Sequence, residues 1–133
     1  MCDCKKIHNP EELAKIQADC AARLKAKFDG SDGKHHLVVC AGTGCLATNS
    51  RGILAEIENQ IKEQNLKDKL DVSIVGCFGF CSQGPFVKVY PEETIYSGVK
   101  VEDVNEIIEA TLNGTVLERL LYIDPVTQKK CRT

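Results

Sequence analysis

The sequence predicts an α/β domain built on a mixed four-stranded sheet with flanking helices. Two apolar segments, residues 37–39 and 70–75, are separated by a stretch with helical periodicity, and such a strand-helix-strand unit places its strands parallel and adjacent. Two further apolar segments, residues 86–90 and 94–96, are joined by a short turn at Pro91 and predict an antiparallel hairpin. One sheet that holds both the parallel pair and the hairpin satisfies these observations.

An N-terminal helix is predicted ahead of this domain. Asn9 suits the N-cap and Pro10 the first helical position. The apolar residues that follow recur every three or four positions, which predicts one helix face, made of Leu13, Ile16, Cys20 and Leu24. Residues 29–33, with the sequence Asp-Gly-Ser-Asp-Gly, are expected to end the helix and to form a flexible linker.

Two more helices are predicted in the main domain. One starts at Asn49 or Ser50; its apolar stripe is Ile53, Leu54, Ile57 and Ile61. The other stops at Gly114; its stripe is Val101, Val104, Ile108 and Leu112.

The segment after Gly114 ends the main domain. Residues 116–121 predict one more short helix, and regular structure is expected to end at Asp124. The resulting division is residues 1–33 as N-terminal helix and linker, 34–123 as the main domain, and 124–133 as a tail or the start of an interdomain linker.

The charge balance and the cysteine content narrow the class of function. Lys and Arg total 17 against 19 Asp and Glu, so the net charge of −2 offers no case for a nucleic-acid or membrane-surface partner. The N-terminus has no apolar segment typical of a secretory signal, which favours a cytoplasmic location. Eight cysteines in a chain kept in a reducing compartment indicate metal binding or redox chemistry rather than disulfides.

Four of these cysteines follow the two predicted parallel strands. Cys40 and Cys45 are separated by four residues after the first strand, and Cys77 and Cys81 by three residues after the second. Because the carboxyl ends of parallel neighbours meet at one edge of a sheet, the four thiols are expected to converge. The sequence therefore predicts one four-cysteine site.

A [2Fe–2S] cluster suits such a site, since it takes four Cys thiolates, two on each iron. Its charge of about −2, which becomes about −3 on reduction, needs hydrogen-bond donors nearby. Backbone N–H groups of the neighbouring glycines are expected to supply them, at Gly42, Gly44, Gly79 and Gly84. Bulky apolar residues are expected to exclude water there, namely Phe78, Phe80, Pro85 and Phe86.

Three other kinds of cysteine site compete with the cluster. A structural zinc site also takes four cysteines and remains an alternative, although the usual spacing between its paired cysteines is shorter. A thiol-disulfide oxidoreductase would need a C-x-x-C motif, which this sequence lacks. A mixed His/Cys cluster using His35 and His36 is disfavoured, because four cysteines already complete a site and both histidines are predicted to precede the strand.

The other four cysteines have no predicted ligand role. Cys20 is expected to be a small core residue on the apolar stripe of the first helix. Cys2 and Cys4 lie on the N-terminus, and Cys131 lies in the predicted tail as a free thiol.

These motifs give the chain a resemblance to the thioredoxin-like [2Fe–2S] ferredoxin family. The resemblance covers residues 35–121: the Cys-x4-Cys and Cys-x3-Cys pairs, the Asn49-Ser50 helix start, Gly84-Pro85 before a strand, and the closing element at 114–120. It implies a thioredoxin-like fold and a [2Fe–2S] cluster as cofactor. The ligands it implies are Cys40, Cys45, Cys77 and Cys81.

Within that family the chain most resembles the N-terminal domain of the flavoprotein, NADH-dehydrogenase-like subunit of NAD(P)-dependent, often electron-bifurcating, iron hydrogenases. The N-terminal helix and residues 121–127 carry this placement. It implies one-electron transfer to other subunits or domains of a flavin and iron-sulfur complex, with catalysis located elsewhere. The alternatives are a free-standing ferredoxin, which as in some relatives could be a homodimer, and a zinc-stabilised or metal-free module that docks subunits.

Overall fold

The computed structural model describes residues 6–79 and 83–131 of the chain. Its helices are α1 (Pro10–Asp29), α2 (Thr43–Ala47), α3 (Ser50–Glu63) and α4 (Val104–Asn113), with a 3-10 turn at Val101–Asp103. Its strands are β1 (His35–Cys40), β2 (Leu70–Val75), β3 (Val87–Tyr90), β4 (Thr94–Tyr96), β5 (Tyr122–Ile123) and β6 (Lys130–Cys131).

The first four strands form one mixed sheet in the order β2-β1-β3-β4. Strands β1 and β2 are parallel and in register from His35 opposite Leu70 to Cys40 opposite Val75. Strand β3 runs antiparallel to both β1 and β4. The predicted fold class, a mixed four-stranded sheet with flanking helices, is confirmed.

The main core lies between one face of this sheet and the helices α3 and α4. Leu37 and Val39 of β1 are fully buried there, since alternate residues of a strand point to the same face. The stripe predicted for α3 is confirmed, because Ile53, Ile57 and Ile61 all lie in this core. Burial of side chains of this size contributes about 1.5–3 kcal/mol each to folding.

Helix α1 forms as predicted, but its apolar stripe is not part of the core. The side chain of Asn9 accepts a hydrogen bond from the Glu12 amide at 2.8 Å, and Gly30 ends the helix in the left-handed conformation at φ 69°. Residues 10–25 are exposed throughout, and α1 meets the sheet only in its last turns, where the Phe28 ring lies 4.8 Å from the Tyr90 ring. The prediction that Cys20 is a core residue is therefore wrong, because Cys20 lies before the part of the helix that reaches the sheet.

Residues 29–33, predicted as a flexible linker, form a hydrogen-bonded turn. The Gly33 amide donates to the Gly30 carbonyl at 2.9 Å, and the Asp29 carboxylate accepts from the Ser31 amide at 3.0 Å. The Asp32 carboxylate accepts from the Lys34 amide at 3.1 Å. Asp side chains bonded to amides two residues ahead are a common way to stabilise a turn. The division of the chain at this point stays a prediction.

The segment after α4 differs from the prediction. Helix α4 ends at Gly114, as expected, with φ 67°. The short helix predicted at residues 116–121 is wrong, because this segment follows the edge of the sheet instead. The Ser97 amide donates to the Leu120 carbonyl at 2.8 Å, and Leu121 forms an antiparallel bridge with Tyr96.

Regular structure also continues past Asp124, contrary to the prediction. Tyr122 pairs with Cys131 and Ile123 with Lys130, which makes β5 and β6 a two-stranded antiparallel hairpin. The Asp124 amide donates to the Lys129 carbonyl at 3.0 Å, and the Asp124 carboxylate accepts from the Val126 amide at 2.9 Å. The hairpin was not predicted, because strands of two residues are too short to show an alternation of apolar and polar residues. Within the described residues, no helix combines the length and apolarity needed to cross a membrane.

Candidate metal centre

Three of the four predicted ligands lie at the carboxyl edge of the parallel strand pair. Cys40 is the last residue of β1, opposite Val75, and Cys77 follows Val75 by two residues. The Ala41 amide donates to the Val75 carbonyl at 2.9 Å, so the two chain segments stay paired just beyond the strands. The predicted convergence of the two cysteine segments is thus present in the fold. Cys45 lies in α2, a short helix that the sequence pattern did not predict.

The thiol of Cys40 is the centre of this group. The thiols of Cys45 and Cys77 lie within hydrogen-bonding reach of it, and Cys40 itself reaches the Gly76 carbonyl at 3.6 Å. Cys40 and Cys45 are each only 1% exposed, whereas Cys77 is exposed. One side of the group is therefore sealed by protein and the other is open to solvent. The fourth predicted ligand, Cys81, lies outside the described residues.

The electrostatics at Cys40 favour a thiolate. Burial by itself raises the pKa of the Cys40 thiol. Hydrogen bonds from the backbone amides of Gly42 and Phe78, and then from the Cys45 and Cys77 thiols, more than offset that effect and lower the pKa below its usual value. Thiolate is the form that binds iron or zinc, so the lowered pKa of Cys40 agrees with its predicted ligand role.

Two glycines allow the backbone to come close to the sulfur atoms, as predicted. A Cβ on Gly42 would lie 2.9 Å from the Cβ and 3.1 Å from the Sγ of Cys77, so only glycine fits at residue 42 without a shift of Cys77. Gly79 has φ +88°, and its amide donates to the Sγ of Cys77 at 3.2 Å. The amide bond from Gly79 is of the kind that stabilises negative charge on sulfur.

Aromatic rings enclose the buried side of the site. Phe86 is 1% exposed and forms a small core cluster with Cys40 and Cys45. The Phe78 and Tyr122 rings flank Phe86, with centroids at 6.3 Å and 6.1 Å from its ring. Of the predicted apolar residues, Phe80 lies outside the described residues. Tyr122 was not predicted to be part of this apolar wall. Its sequence signal is weak: an aromatic residue shortly before the turn-forming Asp124-Pro125.

The two histidines lie at the opposite end of β1 from Cys40. They are the first two residues of that strand rather than residues before it, which corrects the prediction. His36 is buried, with Nε2 at 2.7 Å from an oxygen of Asp32 and Nδ1 at 3.3 Å from an oxygen of Asp71. Its partners are structural carboxylates, so the mixed His/Cys alternative has no support from the fold.

The described donors fit a cysteine-ligated cluster, although they do not complete one. Cys40, Cys45 and Cys77 supply thiols, backbone amides supply donors, and Phe86 supplies an apolar wall. Among residues 6–79 and 83–131, no three His, Cys, Asp or Glu side chains form a group that could hold a metal ion by themselves. Cys2 and Cys4 lie outside the described residues, and only the backbone of Cys131 is described.

The fold and this cysteine edge together define a small α/β protein in which three thiols converge at one edge of a mixed sheet. The model of the thioredoxin-like [2Fe–2S] ferredoxin family matches residues 25–112, and the chain belongs to that family. The predicted cofactor, a [2Fe–2S] cluster, is confirmed at the level of the family.

Individual relatives agree with this assignment. The chain is 38% identical over 96 residues to a 2Fe-2S ferredoxin of Clostridium pasteurianum, an alignment that covers 65% of this chain and 94% of the relative. The crystal structure of the thioredoxin-like [2Fe-2S] ferredoxin from Aquifex aeolicus superposes with a TM-score of 0.61 at 32% identity, covering 65% of this chain and 94% of that one. A NADH-quinone oxidoreductase subunit of Rickettsia typhi is 27% identical over 112 residues, which cover 80% of this chain and 65% of that relative.

Proposed function

We propose that the protein transfers single electrons through a [2Fe–2S] cluster held by Cys40, Cys45, Cys77 and Cys81. The observation that carries this proposal is the convergence of Cys45 and Cys77 on the buried thiol of Cys40 at one edge of the sheet. Residues 45 and 77 are far apart in sequence, and the parallel pairing of β1 with β2 brings them together. When bound, the cluster supplies a one-electron redox centre.

The chain's own residues have three roles in this function. The four thiolates bind the irons, with Cys81 assigned from its spacing to Cys77. The amides of Gly42, Phe78 and Gly79 donate to sulfur and stabilise its negative charge. The buried Phe86 excludes water on one side, while the exposed Cys77 side leaves a short path to an electron donor or acceptor.

The working context we propose is a domain of an NAD(P)-linked hydrogenase or NADH dehydrogenase-like complex in the cytoplasm. Support comes from the similarity to the Rickettsia typhi subunit of NADH-quinone oxidoreductase, which extends over 80% of this chain. In that context other subunits or domains carry the flavin and the catalytic step, and this protein has no turnover of its own.

Metal and sulfide analysis tests the redox proposal directly. Protein reconstituted anaerobically is expected to contain about two irons and two acid-labile sulfides per chain and to give a paramagnetic signal after one-electron reduction. A colourless protein with one zinc and no labile sulfide would refute it and would support the zinc-stabilised docking module instead.

A free-standing ferredoxin is the second candidate, and one observation favours it. The chain covers 94% of the Clostridium pasteurianum ferredoxin, so the shared region is nearly the whole of that protein. The encoding gene provides one test: an open reading frame that continues past Thr133 into a flavin domain argues against the free ferredoxin. The mass of the isolated protein in solution then shows whether it is a homodimer.

A further inference from the structure

The C-terminal hairpin begins against the cysteine site. The Tyr122 ring, at the start of β5, is half-buried and lies 6.1 Å from the Phe86 ring with an angle of 55° between the ring planes. Phe86 is in turn joined to the first predicted ligand, since the Cys40 amide donates to the Phe86 carbonyl at 3.1 Å. Tyr122 is thus one of the side chains packed against the buried cluster of Cys40, Cys45 and Phe86.

Two separate contacts hold the hairpin in this position. On one side, Leu121 bridges to Tyr96 at the edge of the sheet. On the other side, the side-chain amide of Gln83 donates to the Ile123 carbonyl at 3.1 Å, although 40 residues separate the two in sequence. Gln83 follows Cys81 by two residues, so this bond ties the hairpin to the second cysteine segment. The residues on both sides of Tyr122 are therefore anchored.

We propose that the β5-β6 hairpin covers the cysteine site and that Tyr122 is a positioning residue that limits the access of water to the cluster. This inference rests on the proposed function. The Tyr122 ring packs on Phe86, and Phe86 lies in one buried cluster with Cys40 and Cys45. The hairpin contributes by fixing where that ring lies.

The electrostatic consequence has a definite sign. Reduction raises the negative charge of the cluster, and water stabilises the more highly charged form more strongly than apolar surroundings do. A cover that excludes water therefore lowers the reduction potential. Removal of the ring is expected to raise the potential and to let small polar reagents reach the cluster faster.

Three variants of the full chain test the role of the ring. Tyr122→Ala removes it, Tyr122→Phe retains it without the hydroxyl, and Val126→Ala removes apolar surface from the 87% exposed tip of the same hairpin. Each variant is reconstituted anaerobically. The rate of iron loss to an excess of a water-soluble iron chelator and the potential from a redox titration followed by paramagnetic resonance are then measured. Tyr122→Ala is expected to lose iron several-fold faster than Tyr122→Phe, which keeps the ring, and to have a more positive potential, while Val126→Ala matches the wild type.

A second variant covers the case in which Tyr122→Ala does not load a cluster. Gln83→Ala leaves the ring in place but removes the bond to Ile123, so it is expected to change iron loss and potential in the same direction by a smaller amount. If Gln83→Ala retains the wild-type rate and potential, and Tyr122→Ala does so as well where it loads a cluster, the inference is wrong and the proposed function stands. A wild-type chain that takes up no cluster refutes the proposed function and this inference with it.

Discussion

A Cβ atom at Gly42 would lie 2.9 Å from the Cβ of Cys77, so the backbone of the first cysteine segment lies directly against a cysteine of the second. This closeness follows from the parallel pairing of β1 with β2, since Cys40 and Val75 end the two strands side by side. The glycine is therefore needed for contact between the two halves of the site.

Gly42→Ala is expected to displace Cys77 and to reduce cluster occupancy. The added methyl group would lie 2.9 Å from the Cβ of Cys77, closer than side chains tolerate, and in a tight contact of 3.1 Å with its Sγ. Iron per chain and visible circular dichroism measure the effect. Gly76→Ala is the matched control, because nothing lies within 4 Å of a Cβ built at this neighbour of Cys77. Equal iron content in the two variants would contradict the close approach.

Cys45→Ala and Cys77→Ala are each expected to abolish or destabilise the cluster, because a [2Fe–2S] centre needs four thiolates. Cys81→Ala extends the test to the ligand assigned from spacing alone. Iron and sulfide content after reconstitution and the reduced-state paramagnetic signal provide the measurement. Cys20→Ala is the control, since that cysteine is exposed on α1. A normal cluster spectrum in all the ligand variants would overturn the assignment.

His36→Ala is expected to lower the free energy of unfolding by about 1–3 kcal/mol without changing the cluster spectrum. Its buried ring bridges Asp32 and Asp71, and it begins the strand that Cys40 ends. Denaturant unfolding measures the first effect, and visible absorption of reconstituted protein measures the second. His8→Ala, at an exposed position, is the control for stability. An altered cluster spectrum in His36→Ala would revive histidine ligation.

Asp103→Ala is expected to destabilise the fold by about 1–2 kcal/mol, the usual effect of losing a cap. The Asp103 carboxylate accepts from the Lys100 amide at 3.0 Å and from the Arg119 guanidinium at 2.8 Å, and Asp103 is only 9% exposed. Thermal or denaturant unfolding checks the value. Arg119→Ala is expected to have a smaller effect, because that guanidinium is about half exposed and water replaces the ion pair. Glu102→Ala, an exposed neighbour, serves as the control.

The elements that sequence patterns predicted well are those whose cause is local. The Asn9 cap, the isoleucine stripe of α3 and the stop at Gly114 depend on residues within a few turns, and all three are found in the structure. The capping bond ahead of the last helix was missed, because the Asp103 carboxylate bonds the Lys100 amide at the start of a 3-10 turn and makes no capping bond to α4 itself.

The wrong predictions concern what an apolar stripe packs against, although the stripe itself was identified correctly. Leu13 and Cys20 lie on an apolar stripe, yet the sheet reaches only the last turns of α1. The apolar residues at 116–121 have helical spacing, yet Leu121 pairs with Tyr96. Periodicity shows which residues share a face, but it does not show what that face meets.

The order of strands and helices and the spacing of the cysteine pairs can be read directly from the chain, because both depend on short-range chemistry. The groups that surround Cys40 are known only from the folded arrangement. The contact of Gly42 with Cys77 and the cover of Phe86 by Tyr122 join segments about 35 residues apart in the chain. Such contacts arise when strands pair and chain ends pack against the sheet, and no local pattern records them.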